Sequence, residues 1–258
     1  MNTNFETGEA LLNEFYEDGI KGIIDGLNSI SPHIGRYIIE SYGQYFSNPI
    51  LNHQQREIIT LATLISLGDC APQLKWHTNF SLNIGITPNE IIEIMTHCIP
   101  FSGFPRSLNA VNCAKQVFAD RGLVVKITDE LKNESSKIEK GVTKMEEIEG
   151  EHGHAVLESL DSIAPKLGEN IIGFTFGEIY CRTALDLKQR QLVTLGSLTA
   201  QGDCAPQLNV HINTAFNVGL TKEEIIEALL QCALYVGFPK VLNAISVLKK
   251  ITAEKHHR

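Results

Sequence analysis

The sequence has no run of about 18 apolar residues, so no segment reads as a membrane-spanning helix. Its start, Met1-Asn2-Thr3-Asn4-Phe5-Glu6, lacks the basic region and apolar stretch of a secretory signal. Positive charge is short as well: 22 Lys and Arg stand against 30 Asp and Glu, a formal net charge of −8. No basic stripe exists to neutralise phosphates, which excludes a nucleic-acid partner. Cysteine is sparse: six in 258 residues are too few for a disulfide scaffold. These deficits describe a soluble, cytoplasmic protein with reduced thiols and no membrane partner. It is long enough for one large domain or two ordinary ones.

What is present is a duplication. Gly68-Asp69-Cys70-Ala71-Pro72-Gln73-Leu74 recurs letter for letter as Gly202-Asp203-Cys204-Ala205-Pro206-Gln207-Leu208. In the same register His77 meets His211, Cys98 meets Cys232, and Gly103-Phe104-Pro105 meets Gly237-Phe238-Pro239. Towards the N-terminus the register slips by one residue, so that Pro32 meets Pro165. The expected organisation is a first unit at 1–119, a charged helical linker at 120–150 and a second unit at 151–258.

Each unit reads as helices. Residues 54–67 are apolar nearly all round, the pattern of a buried helix. Asp69 and Asp203 are expected to cap a following helix that ends near Gly85 in the first copy. Thr87 with Glu90, and Thr221 with Glu224, have capping-box spacing. Only the short run 123–127 alternates like a strand. The predicted class is all-α.

Cys70, Gln73 and His77, with their copies Cys204, Gln207 and His211, have spacings that put them on one helix face. A Cys at a helix start meets unpaired N–H groups and a positive dipole end, which favours thiolate. His77 lies about 10 Å further along by helix rise, so it serves a substrate on that face rather than the thiol itself. Antiparallel packing around Gly85 places Cys98 opposite Cys70, and Cys232 opposite Cys204, as candidate resolving thiols. The alternative is that all four are core residues. Arg56 and Arg190 suit either a substrate carboxylate or a buried ion pair. Carboxylates differ between copies: Glu57 becomes Gln191, whereas Gln44 becomes Glu178. No His/Cys/Asp cluster has ligand spacing in both copies, so neither a metal nor a cofactor is expected.

The segments Phe176-Gly177-Glu178-Ile179-Tyr180, Leu185-Asp186-Leu187-Lys188-Gln189-Arg190, His211, Gly219-Leu220-Thr221 and Tyr235-x-Gly237-Phe238-Pro239 resemble the carboxymuconolactone decarboxylase superfamily, which includes alkylhydroperoxidase D-like proteins. The resemblance covers both units and implies an all-helical tandem fold and a homotrimer or homodimer. The peroxidase branch carries Cys-x-x-Cys-x-x-x-His and a preceding Glu. Its first Cys falls on Cys70 and Cys204, its His on His77 and His211, and its Glu on Glu57. Gln73 and Gln207 replace the second Cys. Two catalytic readings follow. One is a thiol peroxidase acting on small hydroperoxides, with an external thiol reductant as partner. The other is a cofactor-free decarboxylase or isomerase of a small carboxylated ring compound, using His211, Glu178 and Arg190, with the first copy partly degenerate. Arg56, Arg190, Gln73, Gln207 and Tyr235 form the expected substrate-binding set. A third reading is a non-catalytic binding or assembly protein.

Overall fold

The structure, a computed structural model, describes residues 3–15, 19–125 and 137–256, and every regular element among them is helical. The first unit runs α1 (Asn4–Phe15), α2 (Gly19–Asn28), α3 (Pro32–Tyr45), α4 (His53–Leu67), α5 (Ala71–Asn83), α6 (Pro88–His97), α7 (Ile99–Ser102) and α8 (Phe104–Asp120). The second repeats it as α9 (Lys137–Glu149), α10 (Glu151–Leu160), α11 (Pro165–Asn170), α12 (Leu187–Gln201), α13 (Ala205–Asn217), α14 (Lys222–Gln231), α15 (Ala233–Val236) and α16 (Phe238–His256). No helix among the described residues is long and apolar enough to cross a membrane.

Between α11 and α12, residues Ile171–Ile179 form a π-helical stretch, closed by a bond from the Tyr180 N–H to the Thr175 carbonyl. This accounts for the one-residue slip between copies. Gly8 abuts the carbonyl of Ile39, and Gly141 abuts that of Ile172 in the earlier register. A few residues on, Gly43 and Gly177 are already in the later register. The second copy's extra residue therefore lies inside the π-helical stretch, whose wider turn absorbs an insertion without breaking the helix.

The glycine contacts also place α9. It packs on the π-helical stretch as α1 packs on α3, so part of the stretch read as a linker belongs structurally with the second unit. Residues 126–136 of that stretch lie outside the described residues. Leu123–Val125 have no regular structure, and the rest of the strand-like run also lies outside the description.

Local chemistry explains most helix boundaries. Asn52 and Asp186 cap α4 and α12 in capping boxes with Gln55 and Gln189, and Thr87 and Thr221 do the same with Glu90 and Glu224. Asp69 and Asp203 do not cap α5 and α13. Cys70 and Cys204 occupy the N-cap positions themselves and make no side-chain cap bond. Gly68, Gly85, Gly202 and Gly219 end the preceding helices with φ near +90°.

Helices α4 and α12 lie against each other at the centre. Eleven residues of each are buried, the physical reason for their all-round apolar pattern. The approach is tight at Gly196, where a Cβ would sit 2.9 Å from the Ile59 carbonyl oxygen. One continuous core, with Leu61, Ile65, Leu195 and Leu198 among its members, runs through both units.

Candidate active site

The two central helices carry charge into this core and neutralise it across the boundary between units. Arg56, fully buried, donates from Nη2 to Glu227 Oε2 (3.0 Å) and the Asn48 carbonyl (2.8 Å), and from Nη1 to Gln231 Oε1 (3.2 Å). Arg190 mirrors it, donating to Glu93 Oε1 (2.9 Å), the Arg182 carbonyl (2.7 Å) and His97 Nδ1 (3.2 Å). Burial, then the Arg190 charge, pushes His97 well below the usual histidine range. Neutral His97 accepts at Nδ1 and donates from Nε2 to Thr194 Oγ1 (3.0 Å). Neither arginine is available to a substrate carboxylate, so the expectation that they bind one is corrected. Their guanidinium groups are held in structural ion pairs between units.

Beside this junction the first unit builds a histidine–carboxylate pair. Glu57, fully buried on α4, faces His77 on α5, with its oxygens 2.9 and 3.1 Å from Nδ1. The carboxylate accepts the Nδ1 proton and fixes the ring, leaving Nε2 as the working nitrogen. Tyr42 OH from α3 and Tyr235 OH from the second unit lie 3.4 and 3.3 Å from Nε2. Both are long hydrogen bonds, which a bound molecule reaching Nε2 would exchange for its own. Behind Tyr235, Gln231 donates to Thr60 Oγ1 (3.2 Å), which donates to Tyr235 OH (3.4 Å). Burial, with the Glu57 charge second, raises the Tyr235 phenol far above its ordinary value, so it stays protonated and serves as a donor.

These groups border a cavity of about 630 Å³. Leu12, Ile24, Ile34, Ile38, Trp76 and Leu234 contribute apolar wall, and Tyr42, Gln73, His77 and Tyr235 face it as well. Gln73 and Tyr235 are thus brought together with His77. Tyr42 and Trp76 were missed by sequence reasoning, although Tyr42 begins the segment that matches Phe176-Gly177-Glu178.

The second copy keeps the frame and loses the groups. Gln191 stands for Glu57, and its amide donates to Tyr180 OH (2.9 Å) instead of meeting the histidine. Phe176 stands for Tyr42, and Phe101 packs edge-on to His211 as Tyr235 packs on His77. His211 Nδ1 has no hydrogen-bond partner among the described residues. Its nearest carboxylate is Glu149, 3.9 Å away. Burial pushes His211 down to about 4 and Glu149 up to about 7, so desolvation favours the neutral form of each. Glu178 is not at this histidine. It pairs with Lys137 (3.0 Å), where α9 meets the π-helical stretch. Gln207 is exposed and is not among the residues lining the cavity.

The thiols are placed elsewhere. Cys70 and Cys204 are partly buried, and burial followed by the charge of Asp69 raises the Cys70 thiol; burial and Asp203 do the same at Cys204. The direction is opposite to that of the expected dipole-activated thiolate: desolvation and an adjacent carboxylate both disfavour the charged form. Neither cysteine is among the residues lining the His77 cavity. Cys98 and Cys232 are fully buried, pushed up to about 12 and about 11, and they face Ser197 and Thr63 of the opposite unit (both 3.5 Å). They are core thiols at the unit boundary, ill-placed as resolving groups. The thiol that reaches the start of α5 is Cys113, whose Sγ meets the Ala71 carbonyl at 3.6 Å. No cluster of three or more His, Cys, Asp or Glu that could hold a metal occurs among the described residues.

Comparison with known proteins agrees with this architecture. Residues 32–116 and 165–250 each match the Carboxymuconolactone decarboxylase family. The chain is 32% identical to the 4-carboxymuconolactone decarboxylase of Acinetobacter baylyi over 120 residues, 46% of this chain and 89% of that one. It is 39% identical to the nitrosuccinic acid decarboxylase of Metarhizium robertsii over 82 residues, 32% of this chain and 57% of that one. A crystal structure from Burkholderia xenovorans, described as a gamma-carboxymuconolactone decarboxylase subunit, superposes with a TM-score of 0.58 at 19% identity, covering 100% of this chain and 99% of that one. That last likeness is one of fold. The chain belongs to the carboxymuconolactone decarboxylase family as a tandem of two family units.

Proposed function

We propose that the protein is an acid–base enzyme of the carboxy-lyase or isomerase type, working on a small carboxylated ring compound at the His77 site of the first unit. The observation that carries this reading is the Glu57–His77 pair, whose Nε2 meets the Tyr42 and Tyr235 hydroxyls at the cavity. In a decarboxylation the bond from carbon to the carboxylate breaks and carbon dioxide leaves. The electron pair left on carbon then takes a proton from Nε2 of protonated His77. Glu57 stabilises the imidazolium before transfer and holds the ring in place. Tyr42 and Tyr235 donate to oxygens where negative charge accumulates. In an isomerisation the same nitrogen removes a proton and returns it to another atom. Two relatives named as decarboxylases support this reading. The second unit acts chiefly as a partner, supplying Tyr235.

Peroxidase-like chemistry at Cys70 and Cys204 has weaker support, because their thiols are raised and stand apart from the cavity. The deciding experiment follows carbon dioxide release and product formation from a panel of carboxylated lactones and keto acids. His77→Asn is expected to lower turnover at least a hundredfold, while His211→Asn and the Cys70→Ser/Cys204→Ser double variant retain it. Hydroperoxide consumption that depends on Cys70 or Cys204, with no turnover of any carboxylated substrate, would overturn the proposal.

A further inference from the structure

We infer that the His77 cavity selects a compact apolar ring compound with at most one ionised group, and rejects polycarboxylated ones. The inference rests on the reading of this cavity as the substrate site and narrows the substrate class. At about 630 Å³ the cavity has the size of a small-molecule pocket. The described residues that line it include no Lys, Arg, Asp or Glu. The buried guanidinium nearest in sequence to Glu57 is Arg56, and its terminal nitrogens are taken up by Glu227, Asn48 and Gln231. Arg36 on α3 is exposed and paired with Glu40.

Moving a carboxylate from water into apolar surroundings is costly unless hydrogen bonds or a counter-charge compensate. Here the groups suited to receive one negative charge are His77 Nε2 and the Tyr42 and Tyr235 hydroxyls. They meet at one place. Tyr37, Ser41 and Gln73 add only neutral polar atoms to the rest of the wall. A second or third carboxylate would face Ile24, Leu234 or the half-exposed Ile34 and Ile38, with no charged side chain among the described lining residues to neutralise it. One carboxylate held at His77 and the two tyrosine hydroxyls, with an apolar ring against those residues, matches the polar and apolar parts of the wall.

The chain has a single tryptophan, and Trp76 lies on the cavity wall, so its fluorescence reports occupancy. The probes are 4-tert-butylcyclohexanecarboxylate and cyclohexane-1,3,5-tricarboxylate, neither of which absorbs in the indole band, with calorimetry as a second readout. The monocarboxylate is expected to bind at least tenfold more tightly. Ile34→Arg, which places a cation at a half-exposed position of the wall, should narrow that ratio at least tenfold. A tricarboxylate that binds wild type as tightly as the monocarboxylate, or a monocarboxylate that calorimetry finds not to bind, would overturn the inference. Intact preference without turnover of any carboxylated ring counts against the acid–base reading alone and supports this one.

Discussion

Glu57 and Gln191 occupy the same place in the two copies, and this exchange of oxygen for an amide nitrogen, with Tyr42 against Phe176 and Tyr235 against Phe101, separates two very different histidines. An ionised carboxylate opposite Nδ1 orients the ring and stabilises the imidazolium; an amide does only the first, or imposes the wrong tautomer. Glu57→Gln should therefore cost about 10²-fold or more in turnover. The melting temperature should change little, since the second copy already tolerates Gln here. Steady-state kinetics beside a thermal melt checks both, and unchanged turnover would remove Glu57 from the mechanism. Glu149 offers a second test at this scale. Its folded value of about 7 lies above the ordinary 4.5, so the folded protein holds an extra proton between those limits. That stabilisation is complete below pH 4.5 and is lost as pH rises through about 7. His211, lowered to about 4, works in the opposite sense below pH 6.5. Comparing Glu149→Gln with wild type isolates the carboxyl group. The variant should gain on the order of 3 kcal/mol relative to wild type between pH 5 and pH 8, read from urea midpoints. An equal difference at both pH values would mean that Glu149 ionises normally.

Among the helices, those governed by local signals were legible in sequence. Capping boxes, terminal glycines and the all-round apolar pattern marked α4, α5, α6 and α8 and their copies, because each signal acts within a few residues. The pairing of α1 with α3 and of α9 with the π-helical stretch was not legible, since a glycine contact leaves no periodic trace. Its cause is steric. A Cβ on Gly8 would overlap the Ile39 carbonyl, and one on Gly43 the Asn4 carbonyl. Gly8→Ala should force α1 away from α3 and cost about 1–3 kcal/mol in urea unfolding. Gly26→Ala in α2 meets nothing within 4 Å and should be neutral, or stabilising by about 0.5–1 kcal/mol. Equal effects of the two would refute close packing at α1. Of the site, the His77–Glu57 pair could be found from the repeat and the resemblance. Tyr42 and Glu149 could not, because each reaches its histidine through tertiary packing; Trp76 adjoins His77 in the chain, but its place on the cavity wall depends on the packing of α3 against α5, and the thiols misled because sequence position says nothing of desolvation.

At the scale of the whole molecule the two units share one core, and the candidate site spans both. Arg56 in the first unit is neutralised by Glu227 in the second, Arg190 by Glu93 in the reverse direction, and His77 receives Tyr235 across the same boundary. A chain cut to residues 1–125 would lose Glu227, Gln231 and Tyr235 together and expose the α4 face that meets α12. An uncompensated buried arginine alone costs about 3–5 kcal/mol, a large share of a typical domain's stability. The isolated first unit should therefore fail to give a folded monomer, as judged by light scattering on a sizing column and by near-ultraviolet circular dichroism. If it folds at all, it should do so by pairing with itself. Arg56 would then meet Glu93 of the second copy, and Phe101 would stand where Tyr235 belongs. Such a pair would keep Glu57, His77 and Tyr42 but lose one hydroxyl, and its turnover should fall to that of Tyr235→Phe in the full chain. Co-expression of residues 1–125 with 126–258 should restore both the ion pairs and the missing hydroxyl. A stable monomer of 1–125 with full activity would show instead that the second unit is dispensable, and that sharing the site between units has no functional consequence.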